Sequence, residues 1–507
     1  MKILASNITS PLGATTDANY RAVRRGETAL SNHAAGTRGI PFAFCGGLFA
    51  DGEPDFIDMC TKSAAEALSR VKIDKSRTAF ILSTTKSVIG RPPGEVAKEI
   101  ALRLGIENEP VVVCNACVSG VAAQVLAQRL IDNGAYHYAV ITGGDVQSKF
   151  IISGFHSLKA LSPHACRPFD IERQGLNLGE AAATMVVGKD CLPVVQAGDE
   201  CGWYVTAGSI CNDAYHISNP HPKAAGTYKV LSDLLAGINL TDLACISVHG
   251  TATMYNDQME SVAIERAGLL NVPISALKGY YGHTMGAAGL LETILTIRAL
   301  DDGIVLPSKG FEEIGVSGKV NISAKEQITA KRTFVKILSG FGGVNAGVLV
   351  SKRPLQGSIE GTAPCVVEGG GWLPLVRNAI SKAAISEIER LKRGGKINAP
   401  MHVVLFNKSS TKVVDREFEE TIADNDRFYP SPSLFVYTLP NIVTGEIAMR
   451  YGWQTETSLY ILRECNVKMM EEIVAATVHA HRGEKILYGW IDCPEKDKIE
   501  VELKISK

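Results

Sequence analysis

One cysteine in this chain stands where its chemistry can be used. Cys117 lies in NACVSGVAAQVLAQRLIDNG, at the point where the β-branched run Val111–Ala116 stops and a helix-length segment begins. Ser119, Gly120, Ala122 and Ala123 are small enough to let that helix lie close on a sheet. The spacing puts Cys117 at a helix N-terminus, where unpaired N–H groups and the macrodipole favour thiolate and lower its pKa. Such a thiol is a nucleophile. Cys114, three residues back inside the strand, reads as structural.

Two of the 11 histidines sit among glycines and hydroxyls at strand ends: His249 in SVHGTATMYNDQME and His283 in ALKGYYGHTMGAAGLLE. Gly250 and Gly282 allow close backbone approach, and Thr251 and Thr253 offer hydroxyls on one side of an extended segment. Taken singly, each ring is equally a satisfied core histidine. Lys278 ends the apolar run Val272–Leu277; it is either a buried ammonium that needs partners or a solvated loop lysine. SGFGGVNAG, from Ser339 to Gly347, surrounds Phe341 with glycines, as a pocket gate or a turn with a core phenylalanine would. It lacks the spacing of a dinucleotide fingerprint.

Composition narrows the partners. The 507 residues are 46% apolar and 21% charged, with 52 basic against 53 acidic side chains. That excludes disordered and collagen-like chains and supplies no field for nucleic acid or an anionic membrane. Small molecules and proteins remain. Twelve cysteines, with the single CxxC of Cys114 and Cys117 and no second pair at zinc-like spacing, predict no metal site and a reducing, cytoplasmic setting. The N-terminus, MKILASNITSPLG, lacks a signal-peptide core. The uncharged stretch from Pro110 to Gln128 contains Asn115, Ser119 and Gln124, so it reads as buried, not membrane-spanning.

The elements that must position these residues read as an α/β fold. Strand-like runs at Ala79–Thr85, Val111–Ala116, Tyr138–Thr142 and Ala183–Val187 alternate with helical segments at Gly94–Leu104 and Val118–Asp132. A second set follows at Tyr204–Ile210, Cys245–His249, Pro273–Leu277, Phe334–Leu338 and Ala346–Val350. This predicts a unit over 1–353 with halves at about 1–195 and 196–353. A Pro- and Gly-rich linker spans 354–372, and a further domain spans 373–507. The tail echoes the first half: EIALRLG at 99–105 returns as EIAMRYG at 446–452. In both places a strand-like run then leads to a cysteine (Cys117, Cys465), a helical segment, a glycine (Gly134, Gly483) and an aspartate (Asp145, Asp492).

Together the segments around Cys117, His249, His283 and Phe341 resemble the β-ketoacyl-acyl-carrier-protein synthases, the elongating condensing enzymes of the thiolase fold. SPLG at Ser10–Gly13, CRPFD at Cys166–Asp170 and LGEAA at Leu178–Ala182 add to the likeness, which covers about residues 1–353. The resemblance implies a duplicated αβαβα five-layer sandwich, with the tail as an α/β half-domain like the synthase's N-terminal half. It implies decarboxylative Claisen condensation of an acyl thioester with malonyl-ACP, in fatty acid or polyene/polyketide synthesis. Cys117 then matches the acylated nucleophile, and His249 and His283 the pair acting on the malonyl unit. Lys278 matches the active-site lysine, and Phe341 the gate and, with Cys117, a source of oxyanion-binding N–H groups. Thr251 and Thr253 match the pair that binds the phosphopantetheine arm. Glu292 is placed with the substrate-binding positions, as a carboxylate that orders the lysine.

No cofactor is implied beyond the phosphopantetheine carried by the acyl carrier protein, which is the expected partner. The family forms homodimers or ketosynthase-like heterodimers. The tail has no second HGT or GHT segment, so it is expected to be non-catalytic, with Cys465 a buried structural thiol. The rival function is a non-catalytic subunit like a chain-length factor; such subunits generally lack the nucleophile. A thiolase is the weaker enzymatic alternative, since it requires a second late cysteine.

Overall fold

The computed structural model describes residues 1–190, 202–353 and 378–506. The expected division near 195–196, the linker 354–372 and the start of the third unit at 373 lie outside the described residues.

Apolar, β-branched runs flanked by helices become strands covered on both faces. The first half contributes β1 (Lys2–Thr9), β2 (Thr78–Ser83), β3 (Val111–Val113), β4 (Tyr138–Asp145) and β5 (Ala181–Gly188). The second contributes β6 (Tyr204–Asn212), β7 (Leu243–Ser247), β8 (Pro273–Ser275), β9 (Thr333–Gly340) and β10 (Val344–Ser351). The first sheet runs β3-β2-β4-β5-β1 and the second β8-β7-β9-β10-β6. The same pairs are parallel and antiparallel in each. The duplication is therefore visible in strand order and direction. All nine strands expected from the sequence are present. β1 was not anticipated: KILASNIT mixes polar and apolar residues, yet it lies buried between antiparallel neighbours.

Helices complete the layers. In the first half they are α1 (Phe56–Ser69), α2 (Pro93–Arg103), α3 (Ser119–Asp132) and α4 (Lys149–Ser157). In the second they are α5 (Ala225–Leu235), α6 (Met254–Arg266) and α7 (Ala288–Asp301). α1 and α2 cover the outer face of the first sheet, and α5 and α6 that of the second. α3 and α7 lie between the sheets and share one core with strands of both halves. They touch at two glycines: a Cβ on Gly120 would stand 3.0 Å from the Gly289 Cα. The result is the five-layer α/β sandwich of the thiolase fold.

The tail repeats the pattern a third time. It contains α8 (Ala379–Arg393), β11 (His402–Asn407), α9 (Pro432–Tyr437), α10 (Ile442–Tyr451), β12 (Thr457–Ile461), α11 (Val467–Ala480), β13 (Ile486–Glu495) and β14 (Lys498–Ile505). Its order, β12-β11-β13-β14, matches β3-β2-β4-β5 with the same directions and no counterpart of β1 among the described residues. The echoed motifs fall on α2 and α10. Asp492 accepts from the Ser409 N–H and hydroxyl, as Asp145 accepts from Thr85 N–H and the Thr84 hydroxyl.

The third unit is joined to the first edge to edge. β12 pairs antiparallel with β3 through Tyr460–Val113 and Ile461–Val112, so one sheet runs through all three units. A buried ion pair reinforces the joint: Arg129 on α3 holds Glu456 at 2.7 and 2.8 Å, and His481 adds a third contact at 2.7 Å. Although burial pushes the Glu456 carboxyl upward, Arg129 and His481 hold it well below the usual range.

Candidate active site

A strained turn presents the nucleophile. Between β3 and α3, Ala116 adopts left-handed backbone (φ 48°), and Cys117 lies in a single 3-10 turn just ahead of α3. The Ser119 hydroxyl stitches the turn, donating to Ala116 O at 2.6 Å and accepting from Asn115 N at 2.9 Å. Strain of this kind persists where surroundings over-determine it. Here they do: Gly340 of β9 comes so close that a Cβ would stand 3.2 Å from Cys117 N. The next residue, Phe341, points its N–H at the thiol, as Cys117's own N–H does.

The loop after β7 and the turn after β8 deliver the histidines. A nitrogen of each ring and the Cys117 Sγ all lie within 4.8 Å of one another. The rings meet edge to face, with centroids 5.1 Å apart. Met285 N donates to His283 Nδ1 at 3.2 Å, so the proton of the neutral ring sits on Nε2, which has no protein partner. His249 has none at Nδ1. Burial, and then the charge of Lys278, push both imidazoles well below their ordinary pKa, so both are neutral.

Cys117, His249, His283, Thr251, Thr253 and Phe341 line one cavity of about 330 Å³. The two threonine hydroxyls lie 2.9 Å apart on one wall. Gly342 (φ 88°) and Gly343 (φ 70°) turn the chain sharply behind Phe341. Lys278 and Glu292 do not line the cavity. The lysine is a buried ammonium beneath it, donating to His249 O and to Glu292 Oε1, each at 2.7 Å.

Two expectations need correction. Cys117 is not an acidified thiol: burial pushes it up to about 12, outweighing Lys278 and the two N–H groups. Cys465 is exposed, not buried. Its neighbours are Val467, Met470, Tyr488 and Trp490, with no histidine among them.

Sequence reasoning also missed residues that shape the site. Glu260 on α6 accepts the N–H groups of His249 (2.7 Å) and Gly250 (2.8 Å). The pair Asp257 and Glu260, one turn apart in the first turns of a helix after the glycine loop, was the available signal. Phe155 of α4 stacks on Phe341, with centroids 6.2 Å apart. Tail residues Val436, Leu439 and Ile442 form an apolar cluster with Ala116, against which Phe341 and Leu158 pack.

Comparison with known proteins gives matches over both halves of the chain's first unit. Residues 60–190 match the model of the β-ketoacyl synthase N-terminal domain, and residues 203–312 that of the C-terminal domain. The chain thus carries both the N-terminal and the C-terminal domain of the β-ketoacyl synthase family. The 3-oxoacyl-[acyl-carrier-protein] synthase 2 of Rhizobium meliloti is 30% identical over 281 residues, 52% of this chain and 65% of that protein. The chain spans just under two thirds of the length of such curated relatives. The ketosynthase ApeO of Xenorhabdus doucetiae, solved in complex with its chain length factor ApeC, is 25% identical with a TM-score of 0.57, covering 69% of this chain and 97% of that one. The PfaC keto synthase-chain length factor structure covers 97% of this chain and 73% of its own, with a TM-score of 0.74 and 14% identity. This last likeness takes in the third unit as well.

Proposed function

We propose that this chain is a β-ketoacyl-ACP synthase that joins an acyl group to a malonyl-derived unit by decarboxylative Claisen condensation. The observation that carries the reading is the convergence of Cys117 Sγ and the two imidazoles on one cavity.

A thiol held protonated by burial needs a base as it reacts. As Cys117 Sγ attacks the acyl thioester carbonyl, its proton passes to neutral His249, the ring without a partner at Nδ1. The N–H groups of Cys117 and Phe341 hold the tetrahedral oxyanion. Collapse breaks the carbon–sulfur bond to the phosphopantetheine thiolate, which takes the proton from His249 and leaves acyl-Cys117. Malonyl thioester then enters, its arm held by Thr251 and Thr253. Breaking the bond to its carboxylate releases CO₂ and leaves an electron pair as an enolate. His283 Nε2–H and the second imidazole donate to that oxygen, a stabilisation of about 3–4 kcal/mol per donor. The enolate carbon attacks acyl-Cys117, the new carbon–carbon bond forms, and the thiolate leaves and is reprotonated. Lys278 and Glu292 act beneath His249 without touching substrate.

The third unit occupies the β3 edge. We read it as a built-in counterpart of a chain-length-factor-like partner, covering the edge through which a homodimer or heterodimer would form and walling the acyl pocket. The partner is acyl carrier protein, and no separate cofactor is required. Among the described residues no helix is long and apolar enough to cross a membrane, and the nine described cysteines are unpaired, which supports a reducing cytoplasm. The rival reading, a non-catalytic subunit, is disfavoured by the complete set of Cys117, His249 and His283. Mass spectrometry of products from a panel of acyl starters with malonyl carrier protein tests the proposal. β-Ketoacyl products two carbons longer are expected, and unchanged starters would refute it.

A further inference from the structure

The strand beneath the gate carries a second buried cation that the condensation leaves without a task. Lys336 lies midway along β9 and is fully buried, at a position where a strand covered on both faces ordinarily holds an apolar residue. Burying an ammonium is costly unless it is paired and hydrogen-bonded. Its Nζ donates to Val248 O at 2.8 Å and to Glu292 Oε2. Lys278 donates to the next carbonyl, His249 O, and to the other oxygen of the same carboxylate. One glutamate thus bridges two ammoniums that grip two consecutive carbonyls. Glu260 grips the N–H groups of His249 and Gly250 from the opposite side. The peptide units that set the direction of the His249 ring are held by four charge-assisted hydrogen bonds.

We propose that Lys336 is a positioning residue for His249: with Lys278 it fixes the Val248–His249 backbone and adds to the positive field that faces both imidazoles. This rests on the reading of those rings as proton acceptor and oxyanion donors in the condensation. The charged and titratable groups around Lys336 are Glu292 from α7, Lys278 from the turn after β8, Glu260 from α6, the Cys245 thiol from β7, and the two rings themselves. Burial lowers Lys336 to about 8, so it is still charged at neutral pH. Burial and the neighbouring Asp257 raise Glu260 to about 7, which weakens one of the two anions opposing this field, the other being Glu292. Lys336 adds to the lowering of both histidines.

Lys336→Met keeps the aliphatic stem, removes the charge and leaves Lys278 and Glu292 as a balanced pair. Histidine-ring NMR titration of the full chain reads the field directly, whether or not the protein turns over. The midpoints of His249 and His283 are expected to rise by about one pH unit in the variant. In parallel, malonyl-carrier decarboxylation, which uses both rings, is expected to fall about tenfold or more, and acyl loading of Cys117, which uses His249 as base, is expected to fall as well. Titrations that superimpose on the wild type, or unchanged rates in both half-reactions, would overturn the proposal. If the methionine variant does not fold, Lys336→Gln gives the same comparison. A wild-type protein that decarboxylates nothing would instead refute the condensation itself, leaving the titration to decide the role of Lys336.

Discussion

Asn441, in the third unit, donates its side-chain amide to the backbone carbonyl of Phe341 across 2.8 Å. Beside it, Gly445 of α10 lies so close to the gate loop that a Cβ there would stand 2.4 Å from Gly342 O. The tail therefore holds the gate by its backbone, while the Phe341 ring stacks on Phe155. Asn441→Ala removes the only side-chain donor to that carbonyl among the described residues, a hydrogen bond worth about 0.5–1.5 kcal/mol in this part-buried place. Acyl loading of Cys117 is expected to slow severalfold with little change in thermal stability. Rapid-quench measurement of loading checks this, and an unchanged rate would show that the gate stands without the tail.

Leu439 and Ile442 fill the space behind Ala116, next to the nucleophile. Leu439→Ala should cost about 2–5 kcal/mol of stability. It should also lengthen the longest acyl group that Cys117 accepts. Intact-mass profiling against acyl carriers of increasing length is the check, and the wild-type cutoff should reappear with Leu439→Met.

The neutral imidazoles set a pH dependence. Their folded-state pKa is depressed, so the charged form appears only below the ordinary value of about 6.5. Decarboxylation activity should be fully present through that value and lost as pH falls through the lowered pKa of the rings. A pH profile of malonyl-carrier decarboxylation with an inflection at about 6.5 would mean that the rings are solvated.

The joint between the units can be tested by its charges. Glu456→Ala strands Arg129 in a buried site and should destabilise by about 3–5 kcal/mol. The pair Arg129→Met with Glu456→Leu should be less destabilised than either single change, because no unpaired charge remains. Denaturant melts of the three variants give the comparison; additive losses would mean that the pair does not hold the tail.

Much of this was legible in the sequence because its signals are local. The strand runs, the break at Cys117, the glycine-flanked histidines and the echo of EIALRLG in EIAMRYG each occupy a few consecutive residues, and each landed on the element expected. What escaped depends on distant chain segments. Lys336 sits in TFVKILSG, where a lysine reads as surface until β7 and α7 close over it. Asn441 and Leu439 lie some hundred residues after the gate they touch. The Cys117 pKa followed the same logic: the helix start was visible, the burial that overrides it was not.

The most direct test is to incubate the full chain with an acyl-carrier thioester and weigh the protein intact. A mass increase of one acyl group is expected in the wild type and in Cys465→Ala, and its absence in Cys117→Ala. A label that survives loss of Cys117, or vanishes with Cys465, would contradict the site described above.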